Sequence, residues 1–308
     1  MTIRVIELFA GIGAQAQALK ELGLDYEVVA TSDIDMSANK GYEAIHGAVN
    51  NLGDITKIEH LPPCDLLTYS WPCQAVSVAG KQNGMVEGSG TTSSLLWEVG
   101  RLLKDLRERG ELPEVLVAEN VDAVLNDRNI SEFKRWIATL KKLGYTSSYT
   151  IMNAKDYGTP QNRRRMFMVS TLNLGMFKFP TPEPDNRVLS DILEEDVPES
   201  YYLSEKRMES FSRIETAHSE DGLHLAGDLN DPSLIDLTNR VYMVDGVSPT
   251  IATRPGYQPK IIIEGMLGKT TTQHNTVYGG GGIAPTLAAC DYRDPIKIVI
   301  EGENNGRK

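Results

Sequence analysis

The chain has 308 residues, 41% hydrophobic and 24% charged, the balance of an ordinary soluble globular protein long enough for one large domain plus a smaller one. A net charge of -11 argues against coating nucleic acid by bulk electrostatics, yet it allows an enzyme with a locally basic cleft. No apolar run is long enough to span a bilayer, Met1-Thr2-Ile3-Arg4 leads straight into a strand pattern, and a cytoplasmic location is expected. The three cysteines, Cys64, Cys73 and Cys290, form no CxxC pair or Cys/His cluster, so neither a disulfide framework nor a metal site is predicted.

Taken in chain order, the run from Arg4 to Phe9 reads as a buried strand, and Ala10-Gly11-Ile12-Gly13-Ala14 opens a helix that stops near Gly23. A second strand, Tyr26 to Thr31, ends in Asp33-Ile34-Asp35, and a helix from about Ser37 to Ile45 follows. Gly53-Asp54 is expected after a third strand. Further strands are predicted at 65–69, 115–118, 147–151 and 165–169, with helices at 95–109 and 130–143. This alternation predicts an α/β fold with a parallel sheet, a Rossmann-like domain over 1–180.

Pro180-Thr181-Pro182-Glu183-Pro184 reads as a linker, leaving a smaller β-rich domain over 181–308. It holds a repeat offset by about 36 residues, Val241-Tyr242 to Ala252 against Val277-Tyr278 to Ala288. Each copy runs on into a β-rich segment, Lys260 to Gly265 and Lys297 to Gly302. Two related hairpin-like units are expected there.

Chemistry concentrates in four places. Phe9-Ala10-Gly11-Ile12-Gly13 is a glycine turn between a strand and a helix, with Asp33 about 20 residues on, where a carboxylate takes ribose hydroxyls. It lacks the full G-x-G-x-x-G, and a purely structural turn explains it as well. Trp71-Pro72-Cys73-Gln74 puts a thiol in a loop at the carboxyl edge of the sheet, although a lone cysteine also suits a core position. Ala118-Glu119-Asn120-Val121 puts a carboxylate on that same edge. The pairing suits attack on an electron-poor ring, since a cytosine ring resists methylation at carbon 5 until a nucleophile adds at carbon 6. Gln161-Asn162-Arg163-Arg164-Arg165 is the densest positive cluster, with Arg163 and Arg165 alternating into a strand. Gly84 to Ser94 is rich in Gly, Ser and Thr, has little to bury, and reads as a surface loop or a mobile cover.

These motifs, in this order, resemble the DNA cytosine-5 methyltransferase family. Phe9-Ala10-Gly11-Ile12-Gly13 is similar to its cofactor motif, Pro72-Cys73-Gln74 to its nucleophile motif, Glu119-Asn120-Val121 to its acid motif, and Gln161, Arg163 and Arg165 to its Q-x-R-x-R motif. The resemblance implies methyl transfer from S-adenosylmethionine to carbon 5 of a cytosine flipped out of duplex DNA. It implies that Cys73 attacks carbon 6, Glu119 contacts ring nitrogen 3, Asn120 braces the Pro72-Cys73 loop, and Arg163 and Arg165 bind the base and order that loop. Phe9, Gly11, Ile12 and Gly13 then line the methionine side of the cofactor, Asp33 meets the ribose, Ile34 the adenine, Asp54 its exocyclic amine, and Leu95 packs alongside. Asp33 stands where the family usually has Glu. Pro72, Gln74 and Ser77 fall near the base.

The distal segment sits where the family places target recognition, and Thr250-Ile251 and Thr286-Leu287 resemble its threonine-aliphatic element. Thr250, Arg254 and Thr286 are expected on the DNA; plain hairpin architecture is the alternative. One departure stands out: the family's later Arg-rich motif and Asn/Gly motif do not appear before Lys308. A second polypeptide supplying them, a truncated chain, or a reduced pocket would each explain it. A tRNA cytosine-5 methyltransferase and a DNA-binding subunit without chemistry stay open as further readings.

Overall fold

The computed structural model describes residues 1–74, 84–183, 186–193, 219, 221–230 and 239–250 in full, and the backbone of 212–218, 260–263 and 297–300. It divides into two compact units, Met1–Met152 with Arg164–Thr181, and Asn153–Arg163 with Pro182–Lys308.

In the first unit, β1 (Ile3–Leu8), α1 (Ala14–Glu21), β2 (Tyr26–Ser32), α2 (Met36–His46) and β3 (Leu66–Tyr69) follow in order. After them come α3 (Leu96–Glu108), β4 (Val115–Val121), α4 (Ile130–Leu143), β5 (Tyr145–Asn153) and β6 (Arg164–Leu172). The strand order is β2-β1-β3-β4-β6-β5. β1 runs parallel to β2 and β3, and β3 to β4, whereas β6 is antiparallel to β4. The parallel sheet read from the alternation therefore holds for four strands. It reverses at β6 because the link from β5 carries only a 3-10 turn, Ala154–Tyr157, and no crossover helix.

Val5, Ile6 and Leu8 of β1 are buried, as expected for a central strand covered on both faces. The helix faces that cover the sheet are apolar at helical spacing: Leu96, Val99, Leu102, Leu103 and Leu106 on α3, and Phe133, Trp136 and Leu140 on α4. A Cβ added at Gly100 would lie 3.1 Å from Trp136, so the missing side chain lets the two helices approach. Trp136 also donates its indole N–H to the Tyr69 hydroxyl at 3.1 Å. α2 is capped by Asp35, whose carboxylate accepts from the Ser37 and Ala38 amides at 2.7 and 3.0 Å.

The expected strand before Asp54 is not formed. Asn51 makes a single bridge to Thr31. Gly53 then turns the chain with φ of +71°, and Asp54 caps a 3-10 turn, Ile55–Lys57.

In the second unit, β7 (Ser212–His218), β8 (His224–Asp228), β9 (Arg240–Met243), β10 (Lys260–Ile263) and β11 (Lys297–Ile300) form a sheet of order β11-β10-β9-β8-β7. β7, β8 and β9 pair antiparallel, but β9, β10 and β11 pair parallel. This corrects the hairpin reading for the first copy, whose strands β9 and β10 run in parallel; Val277 to Ala288 of the second copy lies outside the described residues. Strands entering a sheet in one direction need crossovers between them, not tight turns.

Candidate active site

The strand order places β1 between β2 and β3, so the chain leaves β1 to one side and returns on the other. Such a switch opens a crevice at the carboxyl ends of the strands. The turn after β1 lies there, with φ of +58° at Phe9, +56° at Gly11 and +84° at Gly13. Phe9 and Ala10 donate their amides to the Ser32 carbonyl at 2.7 and 3.2 Å. Gly13 cannot carry a side chain, because a Cβ would lie 2.6 Å from both His46 and Tyr42. Ile12 packs over α2, and a Cβ added at Gly41 would meet its side chain at 3.0 Å.

Beneath the turn Glu7 is fully buried. It accepts hydrogen bonds from the Ala16 amide at 3.0 Å and from the Tyr42 hydroxyl, and so satisfies one of the unpaired amides at the start of α1. Burial pushes the Glu7 carboxyl up, against the pull of those two hydrogen bonds.

The carboxylates at the rim already carry structural duties. Asp33 accepts from the Gly11 amide at 2.8 Å and from the Asp35 amide at 2.9 Å, which fastens the turn to the end of β2. Each oxygen keeps a second lone pair for a hydroxyl. Ile34 beside it is 75% exposed, an apolar side chain held out into solvent. Asp54 accepts from the Thr56 amide at 3.0 Å and its hydroxyl at 2.8 Å. These bonds hold its carboxyl below the usual range. Leu95 is half-buried against the main core.

The second cluster sits at the adjoining edge of β3 and β4. Tyr69 at the end of β3 pairs with Ala118 of β4, so Ser70 to Cys73 and Glu119 to Val121 emerge together. Burial alternates along β4, with Leu116, Ala118 and Asn120 buried, so Glu119 and Asn120 point to opposite faces. Asn120 donates its side-chain amide to the Trp71 carbonyl at 2.7 Å, and its oxygen accepts from the Val121 amide at 2.9 Å. On the other face, Val121 pairs with Arg165 of β6, which makes Glu119 and Arg165 diagonal neighbours. The Arg165 Nε lies 3.1 Å from a Glu119 oxygen. Arg164 points elsewhere, to Asp122 at 3.0 Å. Pro72 and Cys73 are half-buried and Gln74 is exposed. Cys64 contrasts with Cys73: it is buried, and desolvation pushes its thiol up to about 12.

Gln161 and Arg163 belong to the second unit, and β6 starts only at Arg164, so Arg163 lies before the strand and not in it. Gln161 is buried and bridges Ser248 in parallel. The Asn162 amide donates to the Ser248 carbonyl at 2.7 Å, and the Arg163 amide to the Asn153 side chain at 2.9 Å. Thr250 is exposed, and its hydroxyl donates to the Asn162 carbonyl at 2.7 Å. Ser77, Arg254 and Thr286 lie outside the described residues.

The family model of C-5 cytosine-specific DNA methylases matches residues 3–292. The chain belongs to that family. The type II methyltransferase M2.ScrFI of Lactococcus lactis subsp. cremoris is 32% identical over 262 residues, covering 67% of this chain and 71% of that one. The orphan methyltransferase M.SPRI of Bacillus phage SPR is 31% identical, covering 94% and 72%. The orphan methyltransferase M.SssI of Spiroplasma monobiae is 35% identical, covering 56% of this chain and 60% of its own length. Among solved structures, the Dnmt2 methyltransferase of S. pombe has a TM-score of 0.57 at 19% identity, over 84% of this chain and 73% of that chain, which is a likeness of fold.

As a C-5 cytosine methylase the chain uses S-adenosylmethionine as methyl donor. The first cluster fits that molecule: a glycine turn at a helix start, an exposed aliphatic side chain, and carboxylates at two rim positions. Among the described residues no group of His, Cys, Asp or Glu is arranged to hold a metal ion, and no helix is long and apolar enough to cross a membrane.

Three supporting groups escaped the reading of the sequence. Ser93 is fully buried and donates its hydroxyl to the Pro72 carbonyl at 2.7 Å. It sits in the Gly/Ser/Thr-rich stretch expected to bury little, which also contains the fully buried Met85. Asn153 bonds Asn162 and Arg163 together. The Glu7–Tyr42 pair was hidden because Glu7 stands in the buried run Val5 to Leu8, and that placement, a charged residue among apolar ones, was the one available signal.

Proposed function

We propose that the chain methylates carbon 5 of cytosine at a specific site in duplex DNA, with Cys73 as nucleophile. The observation that carries this reading is the edge where Asn120 braces the segment leading into Cys73 while Glu119 stands against Arg165. In the intact ring, carbon 5 is too weak a nucleophile. Addition of the Cys73 thiolate to carbon 6 opens the 5,6 double bond and drives its electron pair toward carbon 5. Glu119 hydrogen-bonds ring nitrogen 3 and the exocyclic amine, stabilising charge that builds there. Arg165 fixes the Glu119 carboxylate, and Arg163 and Arg165 hold the oxygen side of the base. Gln161 orders the Arg163 loop. S-adenosylmethionine, when bound, supplies the electrophilic methyl group. Loss of the proton from carbon 5 and departure of the Cys73 thiolate then restore the ring.

In this reading Phe9, Gly11, Ile12 and Gly13 line the methionine end of the cofactor. Asp33 takes the ribose, Ile34 and Leu95 the faces of the adenine side, and Asp54 the exocyclic amine. Pro72, Gln74 and Ser77 flank the flipped base, and the segment holding Thr250, Arg254 and Thr286 serves target recognition. Residues 1–180 are the cofactor and catalytic domain and 181–308 the recognition domain.

A duplex with 5-fluorocytosine at the target tests this directly, because the fluorine cannot leave as a proton does and the Cys73 adduct persists. A denaturation-resistant adduct is expected from the native chain and none from Cys73→Ala. An adduct that survives that substitution overturns the assignment.

A further inference from the structure

We infer that Ser93 is a positioning residue for the Cys73 thiol, acting through the Pro72 carbonyl; this rests on the reading of Cys73 as nucleophile. Two successive carbonyls precede Cys73, and each is held by a buried side chain from a different element. Asn120 of β4 takes the Trp71 carbonyl, and Ser93 takes the Pro72 carbonyl, both at 2.7 Å. Pro72 has no amide hydrogen and a fixed φ. The orientation of the peptide entering Cys73 is therefore set chiefly by what its carbonyls accept.

Ser93 lies in the 3-10 turn Thr92–Leu95, directly ahead of α3. This short stretch fastens several points of the chain. Thr91 accepts from the Ser94 amide at 3.2 Å and donates to the Gly84 carbonyl at 3.1 Å. Trp97, on the first turn of α3, donates its indole N–H to the Met85 carbonyl at 2.8 Å. Ser94 donates its hydroxyl to the Thr91 carbonyl at 2.7 Å. Of the two neighbouring serines, Ser93 alone is directed to the peptide before the thiol, and Ser94 only closes the turn. The rigid body behind the turn is α3, whose apolar face is anchored in the core. A hydroxyl on the 3-10 turn directly ahead of that helix thus transmits the rigidity of the core to the nucleophile.

The pair Ser93→Ala and Ser94→Ala separates positioning from general loosening, since each removes one hydroxyl hydrogen bond from the same turn. Loss of one such bond raises the population of the opened Trp71 to Cys73 segment about fivefold. Alkylation of the half-buried Cys73 by iodoacetamide, followed by mass spectrometry of its peptide, should therefore speed up about fivefold in Ser93→Ala. In Ser94→Ala it should stay within about 1.5-fold of the native rate. Single-turnover methyl transfer should fall about tenfold in Ser93→Ala, with the affinity for S-adenosylmethionine unchanged, which is the signature of a lost transition-state contribution and not of lost binding.

Equal alkylation rates in the native chain and Ser93→Ala overturn the proposal, as does equal acceleration by the two variants. The alkylation arm needs no DNA. If the native chain fails to form the 5-fluorocytosine adduct, the nucleophile reading fails on its own, and the alkylation rates still decide whether Ser93 positions this thiol.

Discussion

Asn120→Asp is the perturbation with the clearest physical consequence at the site. It keeps the shape of the side chain and the oxygen that accepts from the Val121 amide. It replaces the amide that donates to the Trp71 carbonyl at 2.7 Å with a carboxyl oxygen. An ionised carboxylate would set two acceptors against each other in a position only 2% exposed. Burial and this repulsion both favour the protonated form, which restores the donor, so the introduced carboxyl should titrate roughly two to three units above an ordinary Asp.

The sign follows from linkage. A folded-state pKa raised above the unfolded value gives stability that is present below the unfolded pKa and is lost as pH rises through the folded pKa. At about 1.4 kcal/mol per unit, the variant should be near native stability around pH 4 and about 3–4 kcal/mol less stable at pH 7.5. For a unit of this size that difference corresponds to roughly 10 °C in Tm. The assay is a thermal melt of native and variant chains from pH 4 to 8. A Tm difference that does not change with pH would refute the hydrogen bond as the constraint on this edge.

Four shorter predictions accompany it. Gly13→Ala should lower the affinity for S-adenosylmethionine at least tenfold by calorimetry, since the new Cβ meets His46 and Tyr42 at 2.6 Å at a φ of +84°. Glu7→Gln should flatten the dependence of Tm on pH above the ordinary carboxylate range: burial raises the native carboxyl, whose stabilising contribution is lost as pH rises, and the amide does not titrate. Arg165→Ala should cut methyl transfer by about 100-fold or more through loss of the Glu119 contact, whereas Arg164→Ala, which removes an exposed pair with Asp122, should stay within about twofold. Glu119→Gln should slow transfer by roughly 100-fold with little change in cofactor affinity.

The parts of the fold that rest on periodicity were legible in the sequence. The helix expected at 130–143 spans Ile130–Leu143, because Phe133, Trp136, Leu140 and Leu143 mark one face without interruption. The order of the motifs was equally plain, since each falls at a strand end where polarity breaks an apolar run. What the sequence hid depends on partners far away in the chain. Ser93 looks like any surface hydroxyl until the turn ahead of α3 is folded beneath Pro72. The expected strand near Asp54 gave way to a glycine turn and a cap, where short-range hydrogen bonds to Thr56 compete with strand pairing. The parallel pairing of β9, β10 and β11 could not be read from the repeat, because a short apolar run such as Ile261-Ile262-Ile263 pairs in either direction.

Transfer of a labelled methyl group from S-adenosylmethionine to mixed-sequence duplex DNA, with tRNA as a parallel substrate, tests the central claim most directly. The label should enter the DNA as 5-methylcytosine and vanish with Cys73→Ala. Label that enters tRNA and not DNA, or that survives loss of the Cys73 thiol, would contradict the account.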